Sequence, residues 1–219
     1  MKYYKFKENT DKKMAIGKII CLARTYKKHA KEMDAYVTKK PLLFLKPASS
    51  VIFNHEEIVI PNISKSVHHE VELGIVIGKK AKNIDKKDAM KHVYGYLLGL
   101  DITARDIQSE AKKNGWPWGI AKGFDTFAPI SKIVLKERVK DPQNLDIWLK
   151  VNDEIRQKSN TKNMVLSIEE IIEFISDIMT LEPGDLILTG TPEGVSEIKK
   201  KDVIKAGLGD IINLEVKVK

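Results

Sequence analysis

The stretch Val67-His68-His69-Glu70-Val71-Glu72-Leu73-Gly74-Ile75-Val76-Ile77-Gly78 decides how the chain is read. With the period of two that a β-strand imposes, Val71, Leu73, Ile75 and Ile77 fall on one face, and His68, Glu70, Glu72 and Gly74 on the other. Two carboxylates then point the same way, with Cα atoms about 6.6 to 7 Å apart from the strand rise. Like charges so placed oppose each other's ionisation unless a cation or solvent intervenes. A hard divalent ion, Mg²⁺ or Mn²⁺, taking one oxygen from each resolves the conflict. The plainer alternative is the solvated face of an edge strand.

A third carboxylate tips the choice toward the ion. Asp101 ends the apolar run Tyr94 to Leu100, where an acid after a buried strand needs a partner or solvent. His68 and His69 are candidate zinc ligands, but carboxylates dominate the segment and favour a hard metal. After Asp101 comes Ile102-Thr103-Ala104-Arg105-Asp106-Ile107-Gln108, in which Arg105 and Gln108 share a helix face. Both suit a metal site or a substrate carboxylate. Lys122 lies in Trp116-Pro117-Trp118-Gly119-Ile120-Ala121-Lys122-Gly123, whose aromatics and glycines suit a pocket wall. His29 and Glu32, three apart, can form a proton-accepting dyad. Leu188-Thr189-Gly190-Thr191-Pro192-Glu193-Gly194 reads as a strand running into a tight loop that offers amides and the Thr191 hydroxyl to a small anion.

Outward from these segments, short apolar runs recur: 19–22, 42–45, 58–60, 71–77, 94–100, 130–135, 145–151, 186–188 and 211–218. Each has strand length and is bounded by turn formers. Helices are expected at 26–33 behind Thr25, at 104–114 between Thr103 and Gly115, and after the capping box Ser167-Ile168-Glu169-Glu170. Val151-Asn152-Asp153-Glu154 reads as a hairpin turn. Strands outnumber helices without regular βαβ alternation, which argues for a β-rich α+β fold and against a doubly wound sheet.

The 219 residues suit one domain: residues 1–14 as a polar extension and 15–219 as a single catalytic domain. Net charge is +8, but the lysines are scattered among acids, so a nucleic-acid partner is not expected. No apolar run reaches the roughly 18 residues of a membrane span, and the N-terminus lacks a secretory pattern. One cysteine, Cys21, permits no internal disulfide, so a reducing, cytoplasmic setting is expected.

In order along the chain, these motifs resemble the fumarylacetoacetate hydrolase family, in its short acylpyruvate hydrolase and oxaloacetate decarboxylase branch. They are Ala23-Arg24-Thr25-Tyr26 with His29 and Glu32, Phe44-Leu45-Lys46-Pro47, His69-Glu70-Val71-Glu72-Leu73, Asp101 to Gln108, Ala121-Lys122-Gly123-Phe124-Asp125, and Thr189-Gly190-Thr191-Pro192. The resemblance implies a fold of that family's C-terminal domain type, a homodimer, and Mg²⁺ or Mn²⁺ on Glu70, Glu72 and Asp101. It implies catalytic roles for His29, Glu32 and Lys122. Arg24, Lys46, Arg105, Gln108, Gly190 and Thr191 become substrate-binding candidates, and the substrate a small 2-oxo acid. Two departures bear on substrate choice: Ala23 and Thr25 stand where the family usually has Gly and Asn, and Ser196 where it has a second glycine.

The expected reaction is metal-dependent hydrolysis of a carbon–carbon bond in an acylpyruvate, with His29 and Glu32 activating water and the metal and Lys122 stabilising pyruvate enolate. The alternatives are oxaloacetate decarboxylation, isomerisation and decarboxylation of a dienedioate, and a non-catalytic ligand-binding homologue.

Overall fold

The structure is a computed structural model that describes residues 1–8, 11–33 and 41–219. Its strands begin with β1 (Ile19–Ala23), β2 (Leu42–Lys46), β3 (Val51–Phe53), β4 (Glu57–Ile58), β5 (Val67–His69), β6 (Val71–Ile77), β7 (Val93–Leu100) and β8 (Thr103–Ala104). They continue with β9 (Ala128–Ile130), β10 (Val134–Leu135), β11 (Asp146–Val151), β12 (Glu154–Asn160), β13 (Leu186–Leu188), β14 (Ser196–Glu197), β15 (Val203–Leu208) and β16 (Ile212–Val218). Four helices accompany them: α1 (Lys27–Glu32), α2 (Arg105–Asn114), α3 (Gly119–Lys122) and α4 (Ile168–Ile178). This is the expected β-rich α+β architecture.

An eight-stranded sheet runs β2-β1-β13-β6-β7-β9-β3, with β10 also on β7; a five-stranded sheet runs β12-β11-β15-β16-β4; and β14-β5-β8 form a small third. The segment that decided the reading is divided: Val67–His69 form β5 in the small third sheet, Glu70 stands at the break, and Val71–Ile77 form a central strand, β6, held between β13 and β7 and buried along its whole length. Its alternation sorts two cores. Leu73, Ile75 and Ile77 pack toward α4 and the five-stranded sheet through Ile171, Ile175, Leu149 and Val216, while Val76 joins Ile19, Cys21, Leu97 and Leu186 on the other face. Burying such apolar faces stabilises the domain by roughly 25 cal/mol per Å².

That second face is closed in part by the N-terminal segment. Tyr4 and Met14 are buried, Tyr3 bridges Ala15, Phe6 bridges Ile133, and the Tyr4 hydroxyl donates to the Gly184 carbonyl at 3.0 Å. Tyr4 and Phe6 are two apart, so one edge of an otherwise polar stretch is apolar; residues 9 and 10 of the expected extension lie outside the described residues.

The capping box forms as expected, with Glu170 N–H donating to Ser167 Oγ and Ser167 N–H to the Glu170 carboxylate. Gly115 ends α2 in the left-handed region, and Asn152 and Asp153 turn the β11–β12 hairpin at positive φ. Both threonine caps differ from expectation. Thr25 gives its hydroxyl to the Thr189 carbonyl at 2.7 Å, and Thr103 gives its own to the Asp101 carbonyl at 3.1 Å, so each ties a loop to the site and caps no helix. The single strand expected at 130–135 is split, because Leu98 N–H donates to the Ser131 hydroxyl, which interrupts the backbone ladder on β7. The strand expected at 58–60 stops at Ile58, where Val59 N–H turns to the Thr126 hydroxyl. Among the described residues no helix is long and apolar enough to cross a membrane.

Candidate active site

The antiparallel register of β6 on β7 assembles the three acids. Val71 faces Leu100, and Asp101 N–H donates to the Glu70 carbonyl at 2.8 Å, so Asp101 is carried to the end of β6 where Glu70 and Glu72 emerge. One oxygen from each of Glu70, Glu72 and Asp101 lies within 4.8 Å of the others, and all three residues are buried. Among the described residues this is the one such cluster of metal-ligating groups.

Three cations reach the acids. Lys122, at the end of α3, donates from Nζ to Glu70 Oε2 at 2.9 Å and to Asp101 Oδ2. Lys46, at the end of β2, donates to Asp101 Oδ1 at 2.6 Å and to the Ile102 carbonyl at 3.0 Å. Arg105, the first residue of α2, donates to Glu70 Oε1 and to Gln108 Oε1, the latter at 2.6 Å. Both lysines are only 2% exposed, so these are desolvated pairs whose Coulomb attraction is strong.

Glu72 is treated differently. It accepts the Gly190 N–H at 2.7 Å and has no cation within ion-pair distance among the described residues. Burial, then the neighbouring Asp101 and Glu70, push its carboxyl well above the usual carboxylate range. Burial pushes Glu70 up as well, but Lys122 and Arg105 outweigh it and hold Glu70 well below that range. Burial lowers Lys122, while Asp101 and Glu70 more than restore it, so it stays charged. A hard divalent cation fits this donor set: three carboxylate oxygens close together, one of them short of positive charge. Lys46, Lys122 and Arg105 would then support Glu70 and Asp101 from behind.

The expected dyad is formed. His29 Nδ1 stands 3.0 Å from Glu32 Oε2 on α1, and Glu32 Oε1 accepts the Gly194 N–H at 2.9 Å. His29, Arg24, Arg105, Gln108, Lys122 and Thr191 all line the cleft that Glu70 and Glu72 floor. Lys46 and Gly190 do not; they lie behind the acids, one holding Asp101 and the other Glu72. Gly190 has φ +91°, and a Cβ there would meet Thr25 Oγ1 at 2.0 Å, so only glycine brings this amide to Glu72.

His68 and His69 stand apart from the acidic cluster. His69 Nδ1 is 2.9 Å from Gln157 Oε1 and its Nε2 is 2.9 Å from Ser196 Oγ; burial pushes its pKa down to about 4. Gln157 also accepts the Val71 N–H at 3.0 Å and donates to the Thr191 hydroxyl and the Pro192 carbonyl, each at 2.9 Å. A carbonyl only accepts and an N–H only donates, so this amide has one orientation and His69 carries its proton on Nδ1. The chain Ser196–His69–Gln157–Thr191 thus fixes the Thr191 hydroxyl at the wall of the cleft. Sequence reading missed Gln157, the one buried position on β12, which stands out only by its burial in an exposed strand. It also missed Lys112, four residues after Gln108 on the same stripe of α2.

The family described as Fumarylacetoacetate (FAA) hydrolase C-terminal matches residues 18–219. The mouse protein named "Oxaloacetate tautomerase FAHD1, mitochondrial" is 47% identical over 201 residues, 92% of this chain and 91% of that protein. The Dictyostelium discoideum protein named "Oxaloacetate decarboxylase, mitochondrial" is 50% identical over 192 residues, 87% of this chain and 88% of that one. Among solved structures, fumarylpyruvate hydrolase from Pseudomonas aeruginosa in complex with Mn²⁺ and pyruvate is similar with a TM-score of 0.94 at 33% identity, over 99% of this chain and 94% of that one.

Proposed function

The chain belongs to the fumarylacetoacetate hydrolase family, and from that premise we propose that it acts on oxaloacetate, interconverting its enol and keto forms and releasing carbon dioxide from the keto acid. The observation that carries the reading is the meeting of three buried carboxylates within 4.8 Å at the floor of a cleft whose other charged lining groups, among the described residues, are cationic. This reverses the order of the sequence-based expectation. Acylpyruvate hydrolysis stood first there, and the names of the relatives favour the oxaloacetate alternative.

Glu70, Glu72 and Asp101 would hold a divalent cation such as Mg²⁺ or Mn²⁺, which supplies Lewis acidity toward a 2-oxo group. Lys122, kept charged by two acids, serves as a fixed cation for negative charge developing on an enolate oxygen, and not as a base. His29 is the proton carrier: Glu32 holds Nδ1, leaving Nε2 to take a proton from C3 of the keto acid while the electron pair moves to the C2 oxygen. Protonation of that oxygen gives the enol. In decarboxylation the C3–C4 bond breaks instead, its electron pair passes to the C2 oxygen, and a proton returned to C3 gives pyruvate. Arg105, Gln108 and Thr191 orient the ligand from the cleft walls.

One observation favours acylpyruvate hydrolysis as a second reading. Glu32 is held at both oxygens, by His29 and by the Gly194 amide, as suits a dyad that activates water. Proton NMR of the purified protein with Mg²⁺ and, separately, oxaloacetate and acetylpyruvate separates the two. Enol–keto exchange and pyruvate appearing faster than in a no-enzyme blank support the proposal; acetate with pyruvate from acetylpyruvate alone would transfer the site to the hydrolytic reading.

A further inference from the structure

The charged groups that line the cleft fall into two sets, and among the described residues only one set is ion-paired. At the acidic end, three carboxylates meet Lys46, Lys122 and Arg105. α2 leads away from it with Arg105, Gln108 and Lys112 on one stripe, Lys112 about 10 Å further along the axis from the helix rise. Lys112 lines the same cleft, its ammonium 5.4 Å from the centre of the Trp118 ring. Arg24, directly after β1, lines it too, with a backbone φ of +63° that is uncommon for a residue with a Cβ.

Neither Arg24 nor Lys112 has an ion-pair partner among the described residues, whereas Arg105, Lys46 and Lys122 each do. Lys112 is partly exposed, yet partial desolvation and then Arg105 lower its pKa; Glu70 pulls it back, and Arg24 and Lys122 lower it by smaller amounts. Lys112 therefore feels a positive field from groups on three separate elements. A divalent ion on the acids would add to that field. Two unmatched cations in a concave site are an attractive end for an anion.

We propose that Lys112 and Arg24 receive a second carboxylate at the far end of the substrate, so that the site selects 2-oxo dicarboxylates over 2-oxo monocarboxylates. The inference rests on the reading above only in placing the 2-oxo end of the ligand at the acids. It names two specificity residues that separate parts of the chain bring to one cleft: one on the last turn of α2, the other directly after β1. A neutral acyl chain would leave both cations without a counter-charge.

The test is equilibrium binding to Mn²⁺-loaded protein, by titration calorimetry, of 2-oxoglutarate, whose distal carboxylate is not β to the ketone and so cannot leave as carbon dioxide, and of its 5-methyl ester, which lacks only the distal charge. The wild type is expected to bind the diacid about tenfold or more tightly than the ester, the scale of one charge-assisted contact. Lys112→Met and Arg24→Met each shrink that ratio by about threefold or more, together bring it near one, and leave ester affinity within about twofold. Lys112→Glu, at an exposed helix position that tolerates substitution, inverts the ratio. A wild-type ratio near one, a ratio intact in the double variant, equal weakening of both ligands, or no binding of either would overturn the proposal. Because binding is read without turnover, a retained ratio in a protein that does not transform oxaloacetate would sink the reaction assigned above and keep this one.

Discussion

β13 has a buried carboxylate at each end, and the chain treats the two oppositely. At its start, Asp185 accepts from Lys18 N–H at 3.0 Å, from Glu182 N–H at 2.7 Å and from the Lys18 ammonium. Beyond its other end, Glu72 of the neighbouring β6 accepts one N–H, from Gly190, and, among the described residues, no cation. Both are shielded from water, at 2% and 1% exposure. A buried charge is tolerated when donors and a counter-ion satisfy it, and is costly otherwise. Asp185 is a fastening for the loop that enters the sheet. Glu72 keeps an unmet demand for positive charge, and that demand marks the functional end of the strand.

The largest expected effect falls on Glu72. Glu72→Gln keeps the shape and removes the charge, so metal-dependent turnover should drop roughly a thousandfold or more in steady-state assays, the scale of Lewis-acid stabilisation. Asp185→Ala should do the converse. It should lower stability by about 3 kcal/mol in denaturant titrations, for lost bonds to a charged group, with activity per folded molecule unchanged.

The pH dependence sharpens the contrast. Glu72, raised in the folded state, contributes stability that is present below the ordinary carboxylate range and lost as pH rises through its raised value. A bound cation offsets that loss, so the metal-induced rise in melting temperature should be larger at pH 8 than at pH 5.5, and Asp185→Ala should leave this difference alone. His69 has the opposite sign. Depressed to about 4, it contributes stability present above about 6.5 and lost as pH falls toward 4, about 3 kcal/mol at most. His69→Gln should flatten that acid limb in melting curves. Smallest is Gln157→Met, which removes one of the two hydrogen bonds on the Thr191 hydroxyl and leaves its donation to the Val71 carbonyl: KM should rise about three- to tenfold with kcat nearly unchanged, for the loss of about one hydrogen bond.

Much of this was legible in the sequence because strand alternation is a strict rule. The spacing of Glu70 and Glu72, and the position of Asp101 after an apolar run, brought the triad forward without any knowledge of partners. The capping box and the Asn152-Asp153 turn were equally local. What stayed hidden depends on contacts between distant segments. Thr25 and Thr103 look like caps, yet their hydroxyls are claimed by carbonyls that no local pattern reveals. Lys46 and Gly190 belong to site motifs but act from behind the acids, a distinction only packing makes. Tyr4 and Phe6 were read as part of a polar tail because their shared face needs Met14 and Ile133 to make sense. The choice between acylpyruvate hydrolysis and oxaloacetate decarboxylation was out of reach for another reason: both readings call on the same three carboxylates, so the metal ligands cannot separate them.

The most direct test of the central claim is a thermal melt of the wild type, Asp185→Ala and Glu72→Gln across a Mn²⁺ titration. A saturable rise of about 5 to 10 °C at a hundredfold excess over Kd is expected for the wild type and for Asp185→Ala, with none for Glu72→Gln. An equal rise in Glu72→Gln, or none in the wild type, would contradict it.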